Sequence, residues 1–490
     1  MKLNMLIERV QTVSVSGSTD VDVKGITHDS RLVKPGFIFC ALPGQRDDGK
    51  RYIQDAIDKG AIIIVSDRAT SMSRGQVVSV QVCEPRETVA TLACAFYGDP
   101  SRKLKVIGIT GTNGKTTTAF MVRDIFRAAG QKPGMIGTVD YEIGDRIIPA
   151  GRTTPEATDL QKMLAEMVHV GCNNVTLEVS SHALVQKRIL GIEFDVAVFT
   201  NLTHDHLDYH ASVPQYFKAK TLLFQGLARQ KKRAFTVINM DDPWGEKLAR
   251  LPELNAQVIT CGISHDAMVH AERIQIDANG SHVDVRSPWG SVTLNMKLLG
   301  RFNVHNALAA LAACGALNID PALSADVLSK ITSVPGRLEE IKTNQGFQVF
   351  VDYAHTGDAL HNVLTTLREI TSNRLIVVFG CGGDRDNKKR PLMGGVVARL
   401  ADYAILTSDN PRKENPSDII AQIRSGIQDH DVYEVVADRY EAIAKALSLA
   451  DKGDVILIAG KGHENYQEFA NTVIPFDDRQ VVRECMGIKE

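Results

Sequence analysis

Apolar and polar residues change rhythm along this chain, and the changes mark three units. From residue 1 to about 103, short apolar runs such as AIIIVSD alternate with turns rich in Gly, Pro and Asp, and one helix is predicted around Tyr52 to Lys59. From about 104 to 335, the apolar runs KVIGIT, NNVTLEVSS, FDVAVFTN and AFTVIN are separated by helical patterns, which predicts a mostly parallel sheet with helices on both faces. The stretch from about 266 to 300 alternates in period two (HVDV, SVTLNM), as an antiparallel ribbon attached to that sheet would. LLGRFNVHNALAALAACGAL then opens a long Ala-rich helix, with Asn303 and Asn306 one turn apart on one face. From about 336 to 490, QVFVDYA, RLIVVFG, YAILTSD and DVILIAG are each followed by a polar or glycine-rich turn and a helix, a second doubly wound, Rossmann-like pattern. The fold class is therefore α/β in three domains: a small N-terminal domain over 1–103, a central domain on a mostly parallel sheet over 104–335, and a Rossmann-like C-terminal domain over 336–490.

In such sheets, ligands collect at the carboxyl ends of the strands. The first strand of the central unit runs into a phosphate loop, KVIGITGTNGKTTTAF from Lys105 to Phe120. Glycines let backbone N–H groups close around phosphate oxygens, Lys115 supplies a point charge, and Thr116 offers a hydroxyl to Mg²⁺. Gly111, Thr112, Asn113, Gly114, Lys115, Thr116 and Thr117 are thus candidate ATP-binding residues. The usual G-x-x-x-x-G-K-[ST] spacing is not met, because Ile109 stands where its first glycine would be.

Composition narrows the classes. A chain of 490 residues exceeds one core, and a formal charge of −2 gives no reason to expect nucleic acid or an acidic membrane as partner. The eight cysteines are scattered without a C-x-x-C pair, as in reduced cytosolic proteins, and no signal peptide or run of 18 apolar residues is present. The expectation is a cytoplasmic enzyme.

Other residues admit two readings each. Glu178 at a strand end and His206 in THDHLD could ligate a second cation, or be a solvated strand-end carboxylate and a hydrogen-bonded histidine. Lys220 in YFKAKTLLF reads by pattern as a snorkelling lysine. Asp29, Ser30 and Arg31 could meet an anionic ligand or simply cap a turn. In DNPR, Asp409 can take an ammonium, Asn410 a carboxylate or amine, and Arg412 a carboxylate through two parallel N–H bonds; the alternative is an N-P turn capping the next helix.

With the loop, EVSSHAL, NLTHDHLDYH, GRFNVHN and VDYAH in this order, the chain resembles the Mur ligases of bacterial cell-wall synthesis over essentially its full length. Ile109 is then that family's own pattern, G-T-N-G-K-T. The resemblance implies transfer of the ATP γ-phosphoryl group to a peptide carboxylate and attack of an incoming amine on the acyl phosphate. It implies two Mg²⁺ and a catalytic set of Lys115, Glu178, His206 and Lys220. Thr116, Glu178 and His206 would hold metal together with Lys220 as a carbamate.

By the same resemblance, Asn303 and Asn306 lie beside the adenine, and Arg337 and Asp352 close on ATP. Ser30 matches the uridine site, while Thr153, Thr154, Ser181 and Arg188 match positions contacting the UDP-sugar peptide. Arg385, Asp409, Asn410, Arg412, Gly460 and Glu464 match the amino-acid pocket. The implied substrates are UDP-MurNAc-L-Ala-D-Glu and meso-diaminopimelate, acted on by a monomer. Members that use lysine lack the arginine of DNPR, and lysine would leave a buried Arg412 unpaired. Gly357 stands where the family has proline, which predicts a looser turn. Two rival readings share the loop: a folate-lengthening ligase, which has no use for the N-terminal DSR module or DNPR, and a nucleotide switch, which leaves both outer units idle.

Overall fold

The apolar runs pair into three large sheets and one small hairpin in the computed structural model, which describes all residues except 45–47, 69–76, 255, 265, 278, 428–432 and 489–490. In the first unit, Ser14–Ser16, Val78–Gln81, Ala61–Ser66, Phe37–Cys40 and Gly25–Thr27 lie side by side in that order, all parallel except the first. The expected helix is a 3-10 turn, Gly49–Tyr52, running into Ile53–Asp58. Two helices escaped the pattern, Leu3–Ile7 and Pro85–Phe96. The second buries Thr88, Val89, Ala90, Leu92, Ala93, Cys94 and Ala95, because it packs against Ala157–His169 of the central unit as well as on its own sheet. Burial on several sides blurs the apolar stripe that marks a surface helix.

The central sheet has eleven strands. Six run parallel in the order Gln257–Gly262, Phe235–Asn239, Val196–Phe199, Lys105–Thr110, Asn174–Glu178, Pro133–Ile136. The period-two stretch adds Val269–Asp277, Gly280–Ser287 and Gly290–Met296 at one edge, the last two antiparallel, and the hairpin Asp140–Ile143/Arg146–Pro149 extends the other. Lys105–Thr110 sits between strands that come later in sequence on both sides, which makes its carboxyl end the switch point where a crevice opens. The Ala-rich helix Arg301–Ala316 is buried from Ala307 to Ala316 between this sheet and the helix Lys115–Ala128 that follows the loop. Small side chains are what allow a helix to be enclosed there.

The third sheet runs Glu339–Ile341, Gln348–Asp352, Val455–Ala459, Leu375–Phe379, Tyr403–Leu406, Tyr433–Val435, parallel after the first. One expectation fails: Val455–Ala459 is followed by a hairpin, Tyr466–Phe469/Thr472–Pro475, before the helix Asp478–Cys485. The hairpin docks on the DNPR run through Arg412 N–H to Glu468 O (3.0 Å), so its strand character is decided by a partner distant in sequence.

Gly357 does not loosen its turn. It is the first residue of the helix Gly357–Ile370, and Thr356 caps that helix by accepting from Ala359 N–H at 3.2 Å. Thr356 is extended (φ −129°, ψ 158°), as a residue before proline must be, and a Cβ at 357 would meet Leu392 at an ordinary 3.7 Å. Gly357→Pro should therefore stabilise the fold by about 0.4–1 kcal/mol through the unfolded chain, read as a higher denaturation midpoint; a lower midpoint would show that the turn needs glycine.

Candidate active site

The phosphate loop is braced by the neighbouring strand. Thr112 N–H donates to Asn201 O (2.8 Å), Asn113 N–H to Asn201 Oδ1 (2.9 Å), and Thr200 Oγ1 to Asn113 O (2.6 Å). Gly114 turns at φ +86°, and any Cβ there would run into Asn306 Oδ1. The two asparagines do share a face: Asn306 Nδ2 donates to Asn303 Oδ1 at 3.1 Å, and Asn303 Nδ2 to Leu299 O at 2.8 Å. Asn306 lines the cavity described below, while Asn303 stands behind it and orients it. Lys115 curls over the loop, donating to Gly111 O and Thr112 O at 2.9 Å each, and burial lowers its pKa.

Glu178 is buried at the end of its strand, with its carboxylate fully engaged. Thr116 Oγ1 donates to Oε2 (3.0 Å), and Thr138 donates twice, N–H to Oε1 and Oγ1 to Oε2 (both 2.9 Å). It is thus a held residue and not a solvated strand-end carboxylate. Gly137 is glycine because a Cβ would come within 2.5 Å of Oε1. Lys220 does not snorkel: it is 1% exposed on the helix Val213–Leu227, donates to Gly111 O at 2.8 Å and stands 4.5 Å over the Tyr216 ring. Burial, then the charge of Lys115, hold its pKa well below the usual lysine value and favour the neutral, nucleophilic amine. His206, at φ +55°, precedes the short helix Leu207–His210, with Nε2 3.4 Å from Asp205 Oδ2. Desolvation in the crevice keeps its imidazole neutral against the pull of Asp205.

The donor chemistry fits a cation shared with substrate. Thr116 and Glu178 offer hard oxygens, and no three His, Cys, Asp or Glu side chains cluster as a metal cage among the described residues. A Mg²⁺ bound by one or two side chains plus phosphate oxygens and water needs no such cage.

A cavity of about 530 Å³ opens between the central and third units. The loop, Thr116, Glu178, His206, Asn306, Arg337 and Asp352 line it. Arg337 Nη2 donates to Thr116 Oγ1 at 3.0 Å, with its guanidinium 4.6 Å over the Tyr353 ring. Asp352 accepts from Leu338 N–H (2.6 Å) and Ala354 N–H (2.7 Å), so its carboxylate holds the turn that presents Arg337. Asp358, which the sequence did not single out, accepts from Asn113 Nδ2 across the domain boundary at 3.0 Å.

Thr153, Thr154, Ser181 and Arg188 gather behind Glu178. Thr154 Oγ1 donates to Glu178 O (2.8 Å), Arg188 Nη1 to Thr154 O (2.8 Å), and the Thr153 and Thr138 hydroxyl oxygens lie 3.1 Å apart, Thr153 donating because the Thr138 proton serves Glu178. Ser181 Oγ lies 2.9 Å from His210 Nε2. Ser30 is not among their partners. It lies buried in the first unit on the 3-10 turn Ser30–Leu32, where Asp29 accepts from Arg31 N–H (2.9 Å) and pairs with its guanidinium (2.7 Å). For Asp29 and Arg31, the capped turn is what forms.

In the third unit, Asp409, Asn410, Gly460 and Glu464 meet around Lys461, a fully buried residue that the sequence reading passed over although it stands in the GKGHE turn. Lys461 Nζ donates to Asn410 Oδ1 (3.1 Å) and Glu464 (3.2 Å), and Asn410 Nδ2 donates to Glu464 Oε2 (2.8 Å). Gly460 (φ +113°) leaves room for Asp409. Arg385 is exposed, bonded among the described residues only to Asp384 O at 3.4 Å, and its charge reaches His182 in the central unit. Arg412 differs from expectation. It is already paired, Nε to Glu468 Oε2 (2.9 Å) and Nη1 to Gly383 O (2.8 Å), so a ligand without a second carboxylate would not strand an isolated charge. Glu468 comes from the unforeseen hairpin, which is why the sequence could not supply it.

A chain with this three-sheet order and this arrangement around Glu178 belongs to the Mur ligase family. It matches the descriptions "Mur ligase family, catalytic domain" over 22–97, "Mur ligase middle domain" over 109–314 and "Mur ligase, glutamate ligase domain" over 336–462. It is 45% identical to the UDP-N-acetylmuramoyl-L-alanyl-D-glutamate-2,6-diaminopimelate ligase of Geobacillus thermodenitrificans over 99% of both chains, and 44% identical to that of Caldanaerobacter subterraneus subsp. tengcongensis over 100% of both. A solved structure of an enzyme of that name superposes with a TM-score of 0.69 at 32% identity, covering 99% of each chain. A MurF ligase from Thermotoga maritima, solved with ADP, shares the fold at 19% identity and TM-score 0.66, over 95% of this chain and 97% of that one.

Gly114→Ala places a Cβ on Asn306 Oδ1 and a side chain at positive φ, a strain of about 1–2 kcal/mol. ADP affinity measured by calorimetry should fall roughly tenfold; unchanged affinity would mean the loop does not need this conformation.

Proposed function

We propose that this Mur ligase joins meso-2,6-diaminopimelate to UDP-N-acetylmuramoyl-L-alanyl-D-glutamate at the expense of ATP, in the cytoplasm and as a monomer. The observation that carries this reading is the double engagement of Glu178. Its carboxylate holds Thr116 of the phosphate loop, and its backbone carbonyl holds Thr154 of the group behind it. A γ-phosphate cradled by the loop and a peptide carboxylate lying along Thr153 and Thr154 would meet there. The full-length relatives at 41–45% identity, all carrying the name of that ligase, support the same substrates.

The peptide's terminal carboxylate attacks the γ-phosphorus, forming an acyl phosphate and releasing ADP. The amine of diaminopimelate adds to the acyl carbon to give a tetrahedral intermediate, which expels phosphate as the nitrogen loses its proton. Two anions must approach, so the chain's work is positioning and charge neutralisation. Lys115 and Arg337 place cations along the phosphates, and Asn306 fixes the turn at Gly114. Thr116, Glu178, His206 and a carbamylated Lys220 would hold Mg²⁺, which supplies further neutralisation of phosphate charge when bound. A neutral lysine amine is the form that condenses with CO₂, and the buried Lys220 is held toward that form. On the other side, Asp409, Asn410, Glu464 and Arg412 receive the amino acid.

ADP and phosphate should appear only when ATP, Mg²⁺, the UDP-sugar dipeptide and meso-diaminopimelate are all present; turnover indifferent to the sugar peptide would refute the ligase. L-Lysine should be used with kcat/KM lower by about 10², and not the 10⁴–10⁵ expected of a stranded polar group, because Glu468 and Gly383 keep Arg412 partnered. Equal use of both amino acids would remove Arg412 from specificity. Lys220→Ala should lower kcat by about 10²–10³ while circular dichroism stays that of the parent; unchanged kcat would make this lysine a packing residue.

A further inference from the structure

The cavity between the central and third units extends well past the phosphate loop. Beyond Asn306 one wall is the start of the helix Arg301–Ala316, and the facing wall is the helix Gly357–Ile370, which turns one stripe of residues, Asp358, Asn362, Thr366 and Glu369, toward the space. A nucleotide with its phosphates in the loop has its base between these two helices. Next to Asn306 on the first wall stands His305, which the mechanism above does not use. Its Nδ1 is buried, finds no hydrogen-bond partner among the described residues, and lies 3.4 Å from Asp241 Oδ2. Its Nε2 is neither buried nor bonded among them, and the side chain, 27% exposed, lines the cavity.

Asp241 is held in place. Its Oδ1 accepts from Ser264 N–H at 3.1 Å and its Oδ2 from Ile263 N–H, while a Cβ at Gly262 would come within 2.7 Å of Oδ2. Its own N–H donates to Asn239 Oδ1 at 3.1 Å. A carboxylate offers acceptors only, so the ring proton of a neutral His305 belongs on Nδ1 beside it, and Nε2 is left with its lone pair. Burial outweighs the pull of Asp241 and lowers the imidazole pKa, which favours that neutral ring. Resting on the ATP use proposed above, we propose that His305 reads the base of the nucleotide: Asp241 is a positioning residue that sets the tautomer, and Nε2 accepts a hydrogen bond from the exocyclic amino group of adenine. A 6-oxopurine puts a carbonyl oxygen at that place, lone pair against lone pair. Asn306 is engaged elsewhere, its Nδ2 donating to Asn303 Oδ1 and its Oδ1 packed against Gly114.

The test measures, by isothermal titration calorimetry on the full chain with Mg²⁺, the affinities of ADP and of purine riboside 5′-diphosphate, which lacks only the amino group. Wild type should prefer ADP by about 5–10-fold. His305→Phe keeps a flat ring against the base but has no acceptor, and its preference should fall below about twofold. His305→Gln places a carbonyl oxygen on a side chain of similar reach and should recover most of the preference. The ratio of two affinities within one variant reports on folded chain only, so partial unfolding of a variant leaves the comparison intact. A preference in His305→Phe equal to wild type overturns the proposal, and so does equal loss in both variants, which would mean that the ring serves by its shape. Equal binding of the two nucleotides by wild type overturns the base reading and leaves the ATP reading standing; no binding of ADP by wild type overturns the ATP reading first.

Discussion

The carboxylate of Glu178 is the constraint around which the site is arranged. Burying a carboxylate group to 1% exposure is costly unless its oxygens are hydrogen-bonded, and here three donor bonds from two threonines do so. The consequences spread outward. Thr116 ties the carboxylate to the phosphate loop, Thr138 ties it to the turn after Pro133–Ile136, and position 137 must lack a side chain. Its backbone carbonyl fixes Thr154, and through Thr154 the buried Arg188. A site that must bring an anion to a polyanion is thereby built on a rigid anionic post with cations around it.

The third unit applies the same rule with the signs reversed. Arg390, Arg439 and Lys461 are completely buried, and each has a carboxylate: Glu414 for Arg390, Asp478 for Arg439, Glu464 for Lys461. Breaking such a pair on one side costs more than the pair itself contributes, so these contacts fix geometry before they add stability. Within the same cluster, burial pushes the Asp409 carboxyl up, but Lys461 and Arg439 outweigh it and hold it below the usual range. Burial and then Asp409 itself push Glu464 above it.

Much of the fold was legible because continuous apolar runs between turns leave few alternatives to buried parallel strands. The eight runs singled out in the second and third units all became strands, and the period-two stretch became the antiparallel edge. The helix Pro85–Phe96 was missed because it is enclosed on several sides, and the hairpin after Val455–Ala459 was missed because its strands are set by pairing with each other and with residue 412. At the site, the loop was readable from local spacing. Glu178, His206 and Lys220 were ambiguous singly, since a carboxylate, a histidine and a lysine say nothing about burial or company.

The sequence alone determined the doubly wound sheets and the phosphate loop, because strand burial and a glycine turn before a helix are local properties. Only the tertiary structure decided that Lys220 is buried, that Arg412 is already paired with Glu468, and that Lys461 is enclosed between Asn410 and Glu464. Those facts depend on which charges are brought within a few ångströms after folding, and separation along the chain does not encode that distance.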